Sequence, residues 1–311
     1  MRAWGRASAG VTGIRTVAIV SRMHVAIRFA AGWEPLVDPA WLAGWRPQSF
    51  DLGDGTTSVV VMGEGPPLLL LPPLPGYKEA WVAVAWRLAR RFRVVTFDLR
   101  ARFTGPPSWD AMLADLARVA DAFAPGTAVV VGHSLGGALA QRWALARPER
   151  VAALVLSSSF PRVGSTRGQW RKRYVEQSLV LASQRWLPES LAAPLARRLA
   201  ARGAWVYDPC CDGRILAFVR HGIRSVPLGL ARQRVRLAFA HDTRAELPRM
   251  AVPTLLIVGE RETRWAREAC AEMARLIPGA ETRVSPDVAH LHPLSGAAWL
   301  AEAVEAWVGG S

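Results

Sequence analysis

The chain has 311 residues, of which 51% are hydrophobic and 21% charged, so a packed core is within reach and global disorder is excluded. The formal net charge is +14, and no apolar run approaches the roughly 18 residues that mark a membrane-spanning helix. Three cysteines, two of them the adjacent Cys210 and Cys211, suit neither a disulfide framework nor a zinc site and point to a reducing, cytoplasmic compartment.

The first 33 residues hold five arginines and no acid, and the apolar piece at 17–20 is too short for a secretory segment. Residues 1–45 therefore read as an N-terminal extension, disordered in part, with Met23 as an alternative start. The turn Asp54-Gly55 separates strands at 49–52 and 58–62, a hairpin. A wholly apolar strand at 68–71 is ended by Pro72-Pro73, and Trp81, Val82, Ala85, Trp86 and Leu88 mark a helix. A strand at 94–97, a helix at 109–123, a strand at 128–131, a helix at 135–146 and a strand at 151–156 follow. From about residue 160 to 247 the pattern is helical, without a convincing buried strand. The alternation resumes with a strand at 252–258, a helix at 265–276, a strand at 281–284 and a helix at 295–308.

Short apolar strands alternating with amphipathic helices imply a parallel sheet covered on both faces. The economical reading is one α/β domain, doubly wound and mostly parallel, split into 46–159 and 248–311 by a helical insertion at 160–247. That insertion concentrates the charge: residues 160–250 carry 17 Arg or Lys against 6 Asp or Glu, densest at Arg171, Lys172 and Arg173. Only Lys78 and Lys172 are lysines, and this arginine bias matches a GC-rich coding sequence. No recognition-helix, zinc or RNA-binding signature accompanies the charge, so nucleic acid is not the expected partner. So basic a segment faces either solvent or something anionic, such as an anionic or carrier-bound small molecule.

Gly132-His133-Ser134-Leu135-Gly136 fits G-x-S-x-G and sits between a predicted strand and a predicted helix. The turn is so tight that side chains two positions either side of the serine would collide, which is why glycine stands there. The helix N-terminus adds a positive dipole end beside Ser134. A serine hydroxyl is a weak nucleophile and needs an oriented base. His24, His133, His221 and His241 lie in the extension, the turn itself or the insertion. His290 and His292 lie in a loop at the carboxyl edge of the sheet, the edge that carries the serine, and His290 is the expected base. His292 is the alternative, should Asp287 engage His290 locally. The pair as a metal site lacks further ligands. The orienting acid is expected after the strand at 252–258, where Glu260 and Glu262 stand; Glu262 is far enough on to turn inward, although dipole stabilisation alone would favour glutamate there.

With these residues the chain resembles the α/β-hydrolase superfamily over roughly residues 50–311. The resemblance rests on Gly132-His133-Ser134-Leu135-Gly136-Gly137, on Gly259-Glu260-Arg261-Glu262, on Ala289-His290-Leu291, and on their order. Phe97-Asp98-Leu99-Arg100 also looks like the segment after the family's fourth strand. The resemblance implies a Ser134–His290–Glu262 triad, a cap formed by the insertion, and an oxyanion hole from the N–H groups of Leu74 and Leu135. Serine as nucleophile argues against dehalogenase and epoxide hydrolase chemistry, which in this family use aspartate. One departure is plain: relatives carry His-Gly where this chain has Pro72-Pro73, although Leu74 keeps its N–H. The Leu-Pro-Pro-x-x-Gly version, with Leu-Ser-Ser-Ser-Phe at 156–160, is similar to the maspardin-like branch, understood largely as binding or adaptor proteins. Two functions are therefore expected to compete: a serine hydrolase of an ester, thioester or related acyl bond, and a non-catalytic binding module. Neither calls for a cofactor or metal.

Overall fold

A computed structural model describes residues 33–100, 107–164, 167–201 and 213–310. Met23, His24, Cys210 and Cys211 lie outside these residues. So does most of the expected N-terminal extension. Its remainder, from residue 33, forms two short 3-10 turns, and Trp33, Val37 and Trp45 are buried in the core.

Eight strands form one sheet: β1 (Gln48–Asp51), β2 (Thr56–Met62), β3 (Pro67–Leu71), β4 (Arg93–Phe97), β5 (Ala128–His133), β6 (Val151–Ser157), β7 (Thr254–Gly259) and β8 (Glu281–Ser285). Their spatial order is β1-β2-β4-β3-β5-β6-β7-β8. Strand β2 runs antiparallel to both β1 and β4, and every later pairing is parallel. Strands β5 and β7 are buried along their whole length, as apolar runs without alternation require of a sheet covered on both faces. The covering helices are α1 (Val82–Leu88), α2 (Trp109–Phe123), α3 (Leu135–Ala146), α8 (Arg264–Leu276) and α10 (Ala297–Val308). Helix α1 packs on α10, and α2 on α3. Between β6 and β7 the described residues form four helices: α4 (Arg167–Trp186), α5 (Glu189–Ala201), α6 (Gly213–Ser225) and α7 (Leu228–Ala240).

Of the boundaries that differ from the sequence reading, two have a clear local reason. Strand β7 begins at Thr254 because Pro253 has no N–H for the ladder. The last helix is divided into α9 (His292–Ser295) and α10, with Gly296 between them closing the first turn on His292 O at 3.0 Å.

The segment joining β3 to α1 is pinned by a buried ionic cluster. Lys78 Nζ meets Glu79 Oε1 at 2.8 Å and Asp98 Oδ2 at 3.0 Å, while Lys78 N–H donates to Asp98 Oδ1 at 2.8 Å. Two carboxylates thus share one ammonium in a dry place, with Arg234 acting on Asp98 from farther off. Burial first, and then the Asp98 carboxylate, push Glu79 up to about 7, against the pull of Lys78. An acid whose folded value is raised holds its proton longer in the folded than in the unfolded chain. Its contribution therefore favours the fold below about pH 4.5 and is lost as pH climbs to about 7. Urea midpoints recorded across that window should fall with rising pH in the native protein and fall less in Glu79→Gln. An identical slope in the two proteins would show that Glu79 does not titrate in this way.

Candidate active site

Strand β5 and helix α3 meet at Ser134, which is held at φ 53° and ψ −114°. A non-glycine residue at positive φ costs on the order of 1–3 kcal/mol, so the surroundings must enforce it. They do so through backbone contact. A Cβ on Gly132 would lie 2.4 Å from Gly136 O, one on Gly136 2.1 Å from Leu71 O, and one on Gly137 2.4 Å from Ser159 Oγ. The elbow is thus wedged between its own helix, the end of β3 and the segment after β6. Ser134 N–H donates to Ser157 O at 3.0 Å, and Ser134 O accepts from Gly137 N and Ala138 N. The strained turn aims the hydroxyl away from the sheet.

The loops after β7 and β8 meet it there. His290 Nε2 is 3.1 Å from Ser134 Oγ, and His290 Nδ1 is 2.7 Å from Glu262 Oε1. With Nδ1–H donating to the carboxylate, Nε2 keeps its lone pair and can accept from the serine hydroxyl. All three side chains are buried. Burial by itself would raise the Glu262 carboxyl; the facing His290, helped by the Ser158 hydroxyl, outweighs it and holds Glu262 below the usual value. The carboxylate therefore stays charged beside the imidazole.

The other candidates lie elsewhere. Glu260 Oε2 accepts from Asp287 N at 3.0 Å, and Asp287 pairs with Arg261 at 2.7 Å, both in exposed positions. His292 is fully buried behind the site, its Nδ1 3.0 Å from Ser157 Oγ and its Nε2 3.2 Å from Ser158 Oγ. Since Ser158 also reaches Glu262, His292 touches the acid through a hydroxyl rather than touching Ser134. His133 Nδ1 is 3.1 Å from Ser157 O, and its ring centroid is 5.0 Å from that of His290. Burial, and then the neighbouring His290 and His292, hold His133 well below the ordinary histidine value, so it remains neutral. His241 lies against Arg142 Nε at 3.1 Å, where burial lowers it to about 3.

Neither Leu74 N–H nor Leu135 N–H has a hydrogen-bond partner among the described residues. Leu135 opens α3, where the first N–H groups lack helical acceptors. Leu74 lies in the loop that follows β3, which Gly136 touches. A cleft opens over Ser134 and His290. Its walls are Pro73, Leu74, Pro75 and Tyr77 from that loop, Leu181 of α4, Val219 and Ile223 of α6, and Leu291, Pro293 and Leu294 beside the histidine. No arginine or lysine among the described residues lines it. The contacts of Ser157 and Ser158 with His292, and the place of Arg234, were not read from the sequence, which marked the serines only within Leu-Ser-Ser-Ser-Phe. A serine run after a strand has no distinctive spacing, and one arginine is inconspicuous among so many.

The family described as "alpha/beta hydrolase fold" matches residues 66–297. A pimeloyl-[acyl-carrier protein] methyl ester esterase of Nitrosomonas europaea is 31% identical over 239 residues, 75% of this chain and 92% of its own. A putative carbamate hydrolase of Azorhizobium caulinodans is 34% identical over 158 residues, 45% of this chain and 60% of its own. Among solved structures, a thermophilic esterase from Thermogutta terrifontis is 25% identical with a TM-score of 0.67, covering 85% of this chain and 98% of that one.

The packing of the elbow can be tested without reference to activity. Gly136→Ala should lower the unfolding free energy by about 3 kcal/mol or more, because the new methyl meets backbone that cannot move aside. Gly229→Ala, in α7 with open space around it, should change stability by no more than about 1 kcal/mol, in the stabilising direction. Equal urea midpoints for the two variants would contradict the close approach at Gly136.

Proposed function

This chain belongs to the alpha/beta hydrolase fold family and is a hydrolase; within that family we propose a serine hydrolase that cleaves a carboxylic ester or thioester of a small acyl group. The observation that carries the reading is the continuous hydrogen-bonded line from Glu262 through His290 to Ser134 at the base of an apolar cleft. Ser134 Oγ attacks the carbonyl carbon while His290 Nε2 takes its proton, and Glu262 stabilises the imidazolium that forms. The tetrahedral oxygen takes up negative charge between the N–H groups of Leu74 and Leu135, neither of which has a partner among the described residues. As the intermediate collapses, His290 returns the proton to the departing alcohol or thiol. A water then attacks the acyl-enzyme, with His290 again as base, and the acid product leaves Ser134 free.

The substrate class follows from the walls. With apolar side chains around the serine, the part of the substrate bound beside the scissile bond is uncharged and hydrophobic. Helices α4 and α6 supply one side of the cleft, which supports reading residues 160–247 as a cap. The basic cap, with the carrier-linked substrate named for the Nitrosomonas relative, supports an anionic tail or acidic carrier lying outside the cleft.

A fluorophosphonate probe tests the nucleophile. The native protein should be labelled and Ser134→Ala should not; unlabelled, well-folded native protein would instead favour a binding module. For any ester turned over, His290→Ala should reduce kcat/KM by about four orders of magnitude, and Glu262→Gln by less. His292→Ala, which loosens only the serines behind the acid, should cost about tenfold. A larger loss at His292 than at His290 would reverse the assignment of the base.

Charge recognition has its own signature. kcat/KM for an anionic acyl ester should fall as salt rises, because the screening length shrinks from about 10 Å at 0.1 M to about 3 Å at 1 M. Neutralising Arg171, Lys172 and Arg173 together should abolish that dependence and leave a neutral ester of equal length unaffected. An equal response of both esters would reduce the run of cations to a solvated helix face.

A further inference from the structure

Arg234 lies in the middle of α7 and is only 1% exposed. It interrupts a buried stripe of Leu230, Ala231, Val235 and Ala238, where an apolar side chain would be the inexpensive choice. Its guanidinium reaches out of the insertion into the core and donates to three carbonyls: Pro75 O, Leu99 O at 2.8 Å and Arg100 O at 2.6 Å. No carboxylate is among these partners; Asp98 and Asp115 act on its charge only from a distance. Burial lowers it to about 10, so it stays cationic at neutral pH. Enclosing a cation against carbonyls is costly, so the arrangement calls for a reason.

The loop it grips supplies one. Residues 72–76 read Pro-Pro-Leu-Pro-Gly, so three of five positions have no N–H and cannot donate. Neither of the two donors left, Leu74 N–H and Gly76 N–H, has a hydrogen-bond partner among the described residues. Such a loop must be tied down through its carbonyls by donors from elsewhere. Two such ties are present: Leu99 N–H donates to Gly76 O at 2.9 Å, and Arg234 donates to Pro75 O. Gly76 is shaped around the second tie, since a Cβ there would lie 2.7 Å from Arg234 Nη1.

We propose that Arg234 is a positioning residue that fixes the proline loop from the insertion, so that Leu74 N–H is presented to the oxyanion only while α7 is docked on the core. The inference rests on the acyl-hydrolase reading for its catalytic consequence. It makes the hole a joint product of the core, which supplies Leu135, and of the insertion, which holds Leu74 in place.

The test uses Arg234→Lys and Arg234→Met, with Arg234→Ala for chemical rescue, in the full chain, with folding checked by circular dichroism. Hydrogen exchange of the peptide spanning 94–100 reports on the loop, because Leu99 N–H is held by Gly76 O and is released when the loop moves. Exchange there should quicken about tenfold or more. In parallel, kcat for a neutral ester should fall by about 10²-fold, the scale of losing one oxyanion donor, while KM stays within about twofold. Millimolar guanidinium should restore part of kcat in Arg234→Ala, which a merely misfolded variant would not allow. Unchanged exchange in both variants would overturn the tie, whatever the activity. Faster exchange with an unaltered kcat would overturn the positioning role. Failure of the native protein to label with the fluorophosphonate would instead overturn the hydrolase reading, and the exchange comparison would still decide whether Arg234 holds the loop.

Discussion

The backbone contact between Gly136 and Leu71 is the constraint on which the rest of the site depends. Helix α3 can follow β5 directly, with Ser134 at positive φ, only if its first turn lies against the end of β3. A methyl at Gly136 would sit 2.1 Å from Leu71 O, so no other residue fits without displacing one element. The same contact brings the loop after β3 to the serine. One steric fact therefore strains the turn that carries Ser134 and places Leu74 and Leu135 on neighbouring backbone.

The opposite side is set by electrostatics. Glu262 and His290 come from different loops and meet where water is largely excluded, so each needs the other. An unpaired buried carboxylate would gain a proton, and the facing imidazole outweighs that tendency. Behind them His292, Ser157, Ser158 and His133 use most of their polar atoms on one another. That layer surrounds Glu262 with hydroxyl and imidazole groups, of which His133 is held neutral by its burial.

The proline loop shows how a missing donor moves the burden elsewhere. Without N–H groups at positions 72, 73 and 75, the loop relies on acceptors, and the structure answers with Leu99 N–H and a guanidinium from α7. Below it, Lys78 links Asp98 and Glu79 across the base of the segment. Buried charge is concentrated beside the least self-sufficient stretch of backbone, while the cleft walls carry none among the described residues.

How much of this was legible in the sequence follows from the range of each interaction. The elbow was, because its glycines answer to a collision within five residues. The parallel sheet was too, because burial on both faces writes a continuous apolar run at β5 and β7. Helices α2 and α3 carry the bounds that periodicity indicates, since caps and apolar stripes are local. The acid was open between Glu260 and Glu262, two residues apart on one turn. Their separation comes from the β8 loop, which offers Asp287 N–H to one and His290 to the other. Arg234 could be counted but not placed: a charge total cannot tell a solvated arginine from one inside an apolar stripe gripping carbonyls more than 130 residues away. The sequence by itself determined the sheet, the strained serine and the set of candidate partners, all products of near-neighbour sterics and periodicity. Tertiary structure alone decided which carboxylate faces the imidazole and what anchors the proline loop, because both depend on distant segments meeting in a medium that does not tolerate unpaired charge.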